Sequence, residues 1–237
     1  MNRGRLSTAA RAYIVGLSGV AVVVGIALVR VGGPGTPVGI FVVLTSLGML
    51  AHAFPIQGFR HQAYQVTTPF IITAAALFSA TQLVTFVVLI HLAEQARLRR
   101  RLDIQWFNLC NYYLSAAMAA AFYHRAVGVL PDGAVGQVVA AMAAGCTFIA
   151  LNRIFLAGAL WLARGLSPAA SGLLLPQLLA ADLIIAWMAG PMLVLTLEAG
   201  PWMVLVTAGP LLLARTALSV LVPRRQHPAR PARARAA

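Results

Sequence analysis

Charge is almost absent from most of this sequence, and long apolar runs stand in its place. Of 237 residues, 60% are hydrophobic and only 10% are charged, whereas a soluble domain carries about 25% charged residues. A helix needs about 20 consecutive apolar residues to cross the hydrocarbon layer of a bilayer. Because the apolar runs approach or exceed that length, the sequence predicts an all-α, polytopic transmembrane helix bundle.

The apolar runs define seven predicted segments within a single transmembrane domain, residues 1–222. They are Ala12–Val31, Pro37–Phe54, Pro69–Ala93, Trp106–Val129, Ala134–Ala163, Leu173–Leu197 and Trp202–Val222. Residues 223–237 contain mainly Arg, Pro and Ala. That composition cannot bury enough apolar surface to fold, so it predicts a disordered tail.

The basic residues indicate how the bundle is oriented. All 18 are Arg, and the formal net charge is +13. Without Lys, the chain cannot form the Schiff base of a retinal protein. In a membrane protein a basic excess marks cytoplasmic loops and contacts with anionic lipid headgroups, so no nucleic acid partner is expected. The headgroup contacts are predicted at the C-terminal tail and at four loop residues: Arg97, Arg99, Arg100 and Arg101.

The N-terminus conflicts with this orientation. If the arginine loop is cytoplasmic, four further crossings leave the C-terminus cytoplasmic as well, which agrees with its basic tail. Three crossings before the loop would leave Arg3, Arg5 and Arg11 outside. Either the N-terminus is external, or one early segment does not span the membrane. The second segment is short and flanked by prolines, so a six-crossing bundle is the alternative to seven crossings.

Two opposite charges are predicted to meet inside the membrane. Arg153 lies about ten residues before the end of the fifth segment, and Asp182 about ten residues after the start of the sixth. At about 1.5 Å per residue both lie roughly 15 Å deep. Buried ionisable groups in a membrane are costly and often functional. We therefore predict a ligand-binding set of Asn111, Asn152, Arg153 and Asp182, with a purely structural ion pair as the alternative.

No catalytic, metal or cofactor motif is apparent in the sequence. There is no His-Glu-x-x-His helix and no nucleophile elbow, and the five acidic residues are scattered singly. Under seven crossings, His52 and His124 are expected near the outer face and His91 near the inner face. Two histidines at matched depth could ligate haem, but no paired histidine spacing supports it, so no cofactor is predicted. Cys110 and Cys146 have no metal-ligand spacing and are expected to pack as small apolar residues. The chain is therefore expected not to be an enzyme.

Several local patterns occur in a familiar order. They are His-Ala-Phe-Pro-Ile at 52–56, an Arg-rich loop followed by Trp-Phe-Asn at 106–108, Asn152 in mid-helix, and Pro-Leu-Leu-Leu-Ala-Arg at 210–215. Over residues 50–220 the chain resembles the membrane-associated sensor (MASE-type) modules that precede HD-GYP or GGDEF domains in bacterial signalling proteins. The resemblance implies an input module, here without HD or GGDEF motifs, that requires a partner protein.

The functional hypothesis is a bacterial inner-membrane sensor or small-ligand-binding module with no catalytic domain of its own. Kinks at Gly190-Pro191 and Gly209-Pro210 are expected to let binding shift the cytoplasmic end. The layout is also similar to the six-helix substrate-binding components of energy-coupling-factor transporters, so the alternative is a solute-uptake subunit with a transporter partner.

Overall fold

The described part of the chain is almost entirely helical. The computed structural model describes residues 6–33, 35–57, 63, 64 and 66–210. Three helical spans in it are long and apolar enough to cross a membrane: Thr8–Val31, Ala134–Arg164 and Pro176–Ala199, the last of which is interrupted at Met188. They indicate a membrane protein. The full set of seven apolar segments is not confirmed, and the predicted tail at 223–237 lies outside the described residues.

Nine helices and two very short strands are assigned in the described residues. The helices are α1 (Thr8–Val31), α2 (Val38–Ala53), α3 (Thr68–Leu77), α4 (Ala80–Leu98), α5 (Leu102–Val127), α6 (Ala134–Arg164), α7 (Pro168–Ser171), α8 (Pro176–Trp187) and α9 (Ala189–Ala199). Residues 203–210 are also helical. Between α2 and α3, strand β1 (Ile56–Gln57) pairs antiparallel with β2 (Ala63–Tyr64).

The third predicted segment, Pro69–Ala93, is not one helix, and this expectation was wrong. The chain leaves the helical conformation at Phe78 and Ser79, which are both extended. The Ser79 side chain accepts a hydrogen bond from the Gln82 amide while the Gln82 side chain accepts one from the Ser79 amide. This reciprocal capping box starts a new helix, so the apolar run contains two helices, α3 and α4.

Contacts with α2 show that α3 and α4 run in opposite directions. Before α2, Thr36 donates a hydrogen bond from its hydroxyl to the Leu77 carbonyl oxygen, and its amide donates to Gln82 Oε1 at 2.9 Å. At the other end of α2, His52 contacts both Thr67 and His91. The chain therefore runs back along α2 through α3 and returns through α4, as a helical hairpin.

The hairpin removes the conflict at the N-terminus. We call the end of the bundle that carries Arg97–Arg101 the arginine end. Four helices, not three, precede this loop, so α1 begins at the arginine end as well. Ser7, which caps α1, donates a hydrogen bond to the Leu162 carbonyl oxygen near the end of α6. Farther along α1, Trp106 Nε1 donates to Ser18 Oγ at 2.8 Å, so α1 and α5 run in parallel.

Small residues allow the central helices to approach closely. A Cβ added to Gly145 of α6 would lie 3.1 Å from Ile72 and 3.3 Å from Ala186, and one added to Gly190 would lie 3.0 Å from Val138. Such positions are typical of helix interfaces in lipid. The expected break near Pro191 occurs at Met188, which ends α8 and precedes α9. Gly209 and Pro210 lie in the helical residues at the edge of the described range.

The hairpin predicts that the start of α1 and the arginine loop, Arg97–Arg101, lie on the same side of the membrane. In a variant without Cys110 and Cys146, single cysteines at Thr8 and Arg99 should react with an impermeant maleimide from the same side. A cysteine at Asp132, which is exposed between α5 and α6, should react from the other side. If Thr8→Cys and Asp132→Cys reacted from the same side of the membrane, the antiparallel arrangement of α3 and α4 would be contradicted.

Candidate functional site

The predicted contact between Arg153 and Asp182 is confirmed. Arg153 Nη2 is paired with Asp182 Oδ2, and Arg153 Nη1 donates to the Leu173 carbonyl oxygen. The Arg153 side chain is buried, and that of Asp182 is 24% exposed. The pair thus joins α6 to α8, and the guanidinium also ties down the connection that precedes α8. Both Nη groups of Arg153 are therefore bonded to other parts of the protein.

The other two predicted site residues also bond to each other. Asn111 Nδ2 of α5 donates to Asn152 Oδ1 of α6 at 2.7 Å, and Ser115 Oγ donates to Asn111 Oδ1 at 3.3 Å. The first bond connects α5 to α6, and the second, within α5, orients the Asn111 amide. The four predicted residues therefore form two interhelical links whose polar groups largely satisfy each other. Their assignment to a ligand stays a prediction.

A second polar network lies at the arginine end, and the sequence reasoning missed most of it. Glu94 is buried, with Arg100 Nη2 at 3.0 Å from Oε1 and His52 Nε2 at 3.6 Å from Oε2. Glu94 therefore pairs with the arginine loop. Next to this pair, Arg97 donates to the Ala53 carbonyl oxygen and lies over the Phe54 ring. The network therefore fastens the end of α2 to the end of α4.

His52 and His91 are neighbours, so their expected placement at opposite faces was wrong. Their ring centroids are 4.7 Å apart, and the Tyr112 ring lies 5.4 Å from His52 and 5.0 Å from His91 in edge-to-face geometry. Both histidines are buried. The mistake follows from treating α3 and α4 as one helix, because that assumption places the end of α2 on the wrong side.

An open groove lies beside this network, between α1, α4 and α5. Its volume is about 1060 Å³. The lining is apolar along most of its length, with side chains that include Val22, Ile26, Val84, Val88 and Leu109. A small number of polar side chains interrupt it, namely His91, Gln95, Gln105, Tyr113 and, on α1, Arg30. A large apolar cavity with a few polar groups is the usual form of a ligand site.

Comparison with known proteins adds no relative. No protein-family model, curated protein or solved structure matches this chain. Within the described residues, no three His, Cys, Asp or Glu side chains converge in a way that could hold a metal ion. The groove and the two buried networks are therefore interpreted from their own geometry.

Replacing one partner of the Arg153–Asp182 pair should destabilise the bundle. Asp182→Asn leaves a buried guanidinium without its anion, and we expect a loss of about 3 kcal/mol in the free energy of unfolding. The double variant Arg153→Met with Asp182→Leu should recover most of this loss. Glu198→Gln, at an exposed position of α9, is the control, with a change within about 0.5 kcal/mol. Reversible unfolding in mixed micelles measures all three; equal stability of Asp182→Asn and the control would contradict the pairing.

The buried and exposed ion pairs of the arginine loop should differ in strength. Glu94→Gln removes the carboxylate between His52 and Arg100, and we expect a loss of about 2 kcal/mol in unfolding free energy, since Arg100 is partly exposed. The matched control is Asp103→Asn, whose partner Arg101 is 53% exposed; that variant should lose at most about 1 kcal/mol. The same micelle unfolding assay compares them. A larger loss for Asp103→Asn would show that the Glu94 network does not hold the helix ends together.

Proposed function

We propose that the chain is a membrane-embedded sensor or ligand-binding module whose ligand carries a hydrocarbon chain. The groove between α1, α4 and α5 is the observation that carries this proposal. Its volume of about 1060 Å³ exceeds the upper end of the range for small-molecule pockets, about 300–1,000 Å³. Its lining is mainly aliphatic, which favours a long apolar ligand over a compact polar solute.

The length of the groove supports a chain-shaped ligand. On α4 the lining residues extend from Val84 to Gln95, which corresponds to about 16 Å at 1.5 Å per residue. One leaflet of a bilayer contributes about half of the roughly 30 Å hydrocarbon thickness. A hydrocarbon chain of the leaflet at the arginine end therefore fits the groove along its axis.

The position of α1 supports a response to binding. Most of α1 faces outward, with Val15, Val23 and Val31 more than 60% exposed, and hydrogen bonds at Ser7 and Ser18 hold its first half to α6 and α5. A ligand in the groove would contact α1 on one side and α4 with α5 on the other. Binding would then change the population of α1 positions, and α4 would transmit that change to the Glu94–Arg100 network.

The orientation belongs to the same proposal. With the start of α1 and the arginine loop at one end, the positive-inside rule assigns the arginine end to the cytoplasmic face of the inner membrane. Arg97, Arg99 and Arg101 are exposed there and suit anionic headgroups, at about 1 kcal/mol per Arg. A signalling partner would contact the same end. The MASE-type resemblance agrees with this role.

Blocking the groove should remove the bound ligand. Val88→Trp places a bulky ring in the groove, so the purified protein should retain less copurified lipid than the wild type. Thr85→Trp is the control, because Thr85 is exposed on the same helix and does not line the groove. Native mass spectrometry and lipid extraction measure the retained amount. Equal retention by both variants would overturn the groove as the binding site. Transport of a polar solute into liposomes, unaffected by Val88→Trp, would favour solute uptake instead.

A further inference from the structure

The arginine loop lies at one end of the groove between α1, α4 and α5. Gln95 of α4 and Leu102 of α5 both line the groove, and only residues 96–101 connect them. Trp106, which lines the groove about one turn along α5, is 49% exposed. An exposed tryptophan ring is typical of the boundary between hydrocarbon and headgroups. This end of the groove therefore lies at the membrane interface, with the loop beside it.

The dimensions of the groove match a lipid whose headgroup lies at the loop. The groove follows α4 from Val84 to Gln95, about 16 Å at the helical rise, which is close to the roughly 15 Å of one hydrocarbon leaflet. The headgroup layer adds about 5–7 Å on each side of the bilayer. Arg99 follows Gln95 by four residues, which is about 6 Å farther at the same rise. A chain in the groove would therefore bring its phosphate to the level of Arg99.

Three of the four arginines in the loop already have partners within the protein. Arg100 Nη2 lies 3.0 Å from a Glu94 carboxylate oxygen, and Arg101 Nη2 lies 2.7 Å from an Asp103 carboxylate oxygen. Arg97 donates to a backbone carbonyl oxygen at the end of α2. The positive charge of the loop is therefore partly neutralised or held by the bundle itself.

Arg99 differs from the other three. It is exposed and has no hydrogen-bond or ion-pair partner among the described residues. Its backbone is left-handed, with φ 46° and ψ 48°, and in the described part of the chain no other residue except glycine has a positive φ. Glycine usually occupies this position after a helix. An arginine there, with its guanidinium unengaged, indicates a contact outside the chain.

We infer that the groove ligand is a phospholipid with an anionic headgroup, whose acyl chain occupies the groove and whose phosphate pairs with Arg99. This inference rests on the proposed function and names the class of its ligand. A guanidinium binds phosphate oxygens through charge-assisted hydrogen bonds. A zwitterionic headgroup carries its own cation beside the phosphate, so it gains less from an added arginine than an anionic headgroup does. The apolar groove thus selects the chain, and Arg99 selects the charge.

A matched pair of lipids tests the inference on the wild-type chain. Phosphatidylglycerol and phosphatidylcholine with identical acyl chains present the same hydrocarbon to the groove and differ in net charge. Titration of the full chain in neutral-detergent micelles, followed by native mass spectrometry, should show about fivefold tighter binding of phosphatidylglycerol, the equivalent of about 1 kcal/mol for one arginine. Equal binding of two lipids that Val88→Trp weakens alike would overturn the inference and leave the groove function intact. If Val88→Trp weakens neither lipid, both fail.

Substitutions of Arg99 locate the headgroup. Glycine suits the left-handed backbone, so Arg99→Gly removes the charge without straining the fold and should reduce the fivefold ratio to about one. Arg99→Lys, which keeps the charge, should retain most of the ratio. The control Arg164→Gln, at the exposed end of α6 and outside the groove lining, should retain all of it. An unchanged ratio in Arg99→Gly would overturn the inference. A loss in Arg30→Gln alone would do the same, because it would place the headgroup at the opposite end.

Blocking the groove shows whether the chain and the headgroup belong to one molecule. If they do, Val88→Trp should weaken phosphatidylglycerol binding and remove its preference over phosphatidylcholine, whereas Thr85→Trp should change neither. A fivefold preference that persists in Val88→Trp would show that Arg99 binds the headgroups of surrounding lipids independently of the groove, and it would overturn the inference.

Discussion

The requirement that polar groups find partners without water governs this structure. In hydrocarbon an unsatisfied polar group costs several kcal/mol, and the bundle meets this requirement at most levels. Arg153 is paired with Asp182, Glu94 lies between Arg100 and His52, and Ser79 is capped by Gln82. Eight buried polar side-chain atoms still have no partner among the described residues, and half of them lie outside the groove, on Thr45, His52, Arg100 and Arg153. The apolar lining of the groove between α1, α4 and α5 is what connects the architecture to a proposed ligand.

Much of the architecture follows from the sequence, and the main error has an identifiable physical cause. Hydropathy located α1, α2, α5 and α6 to within a few residues, because a long apolar run has few alternatives in lipid. It failed at α3 and α4, since an apolar run of that length fits one spanning helix as well as two packed ones. The signal that separates them is local: the Ser-x-x-Gln capping box at Ser79. Recognising this capping box would also have placed the start of α1 and the arginine loop at one end of the bundle.

The candidate site was only partly predictable. Arg153 and Asp182 could be matched because they lie on consecutive antiparallel helices, where equal distances from a short turn give equal depth. His52, His91, Glu94 and Gln105 come together through the α3–α4 hairpin, so the depth of each depends on the topology. The groove could not be predicted, since it lies where the second half of α1 meets α4 and α5, and hydropathy alone does not show how closely helices pack.

A structure of the full chain in lipid nanodiscs tests the central claim most directly. The account predicts elongated density between α1 and α4, in contact with the groove-lining side chains Val84 and Val88. It also predicts α3 and α4 as an antiparallel hairpin behind that density. A groove closed by α1 packing directly against α4, with no density between them, would contradict it.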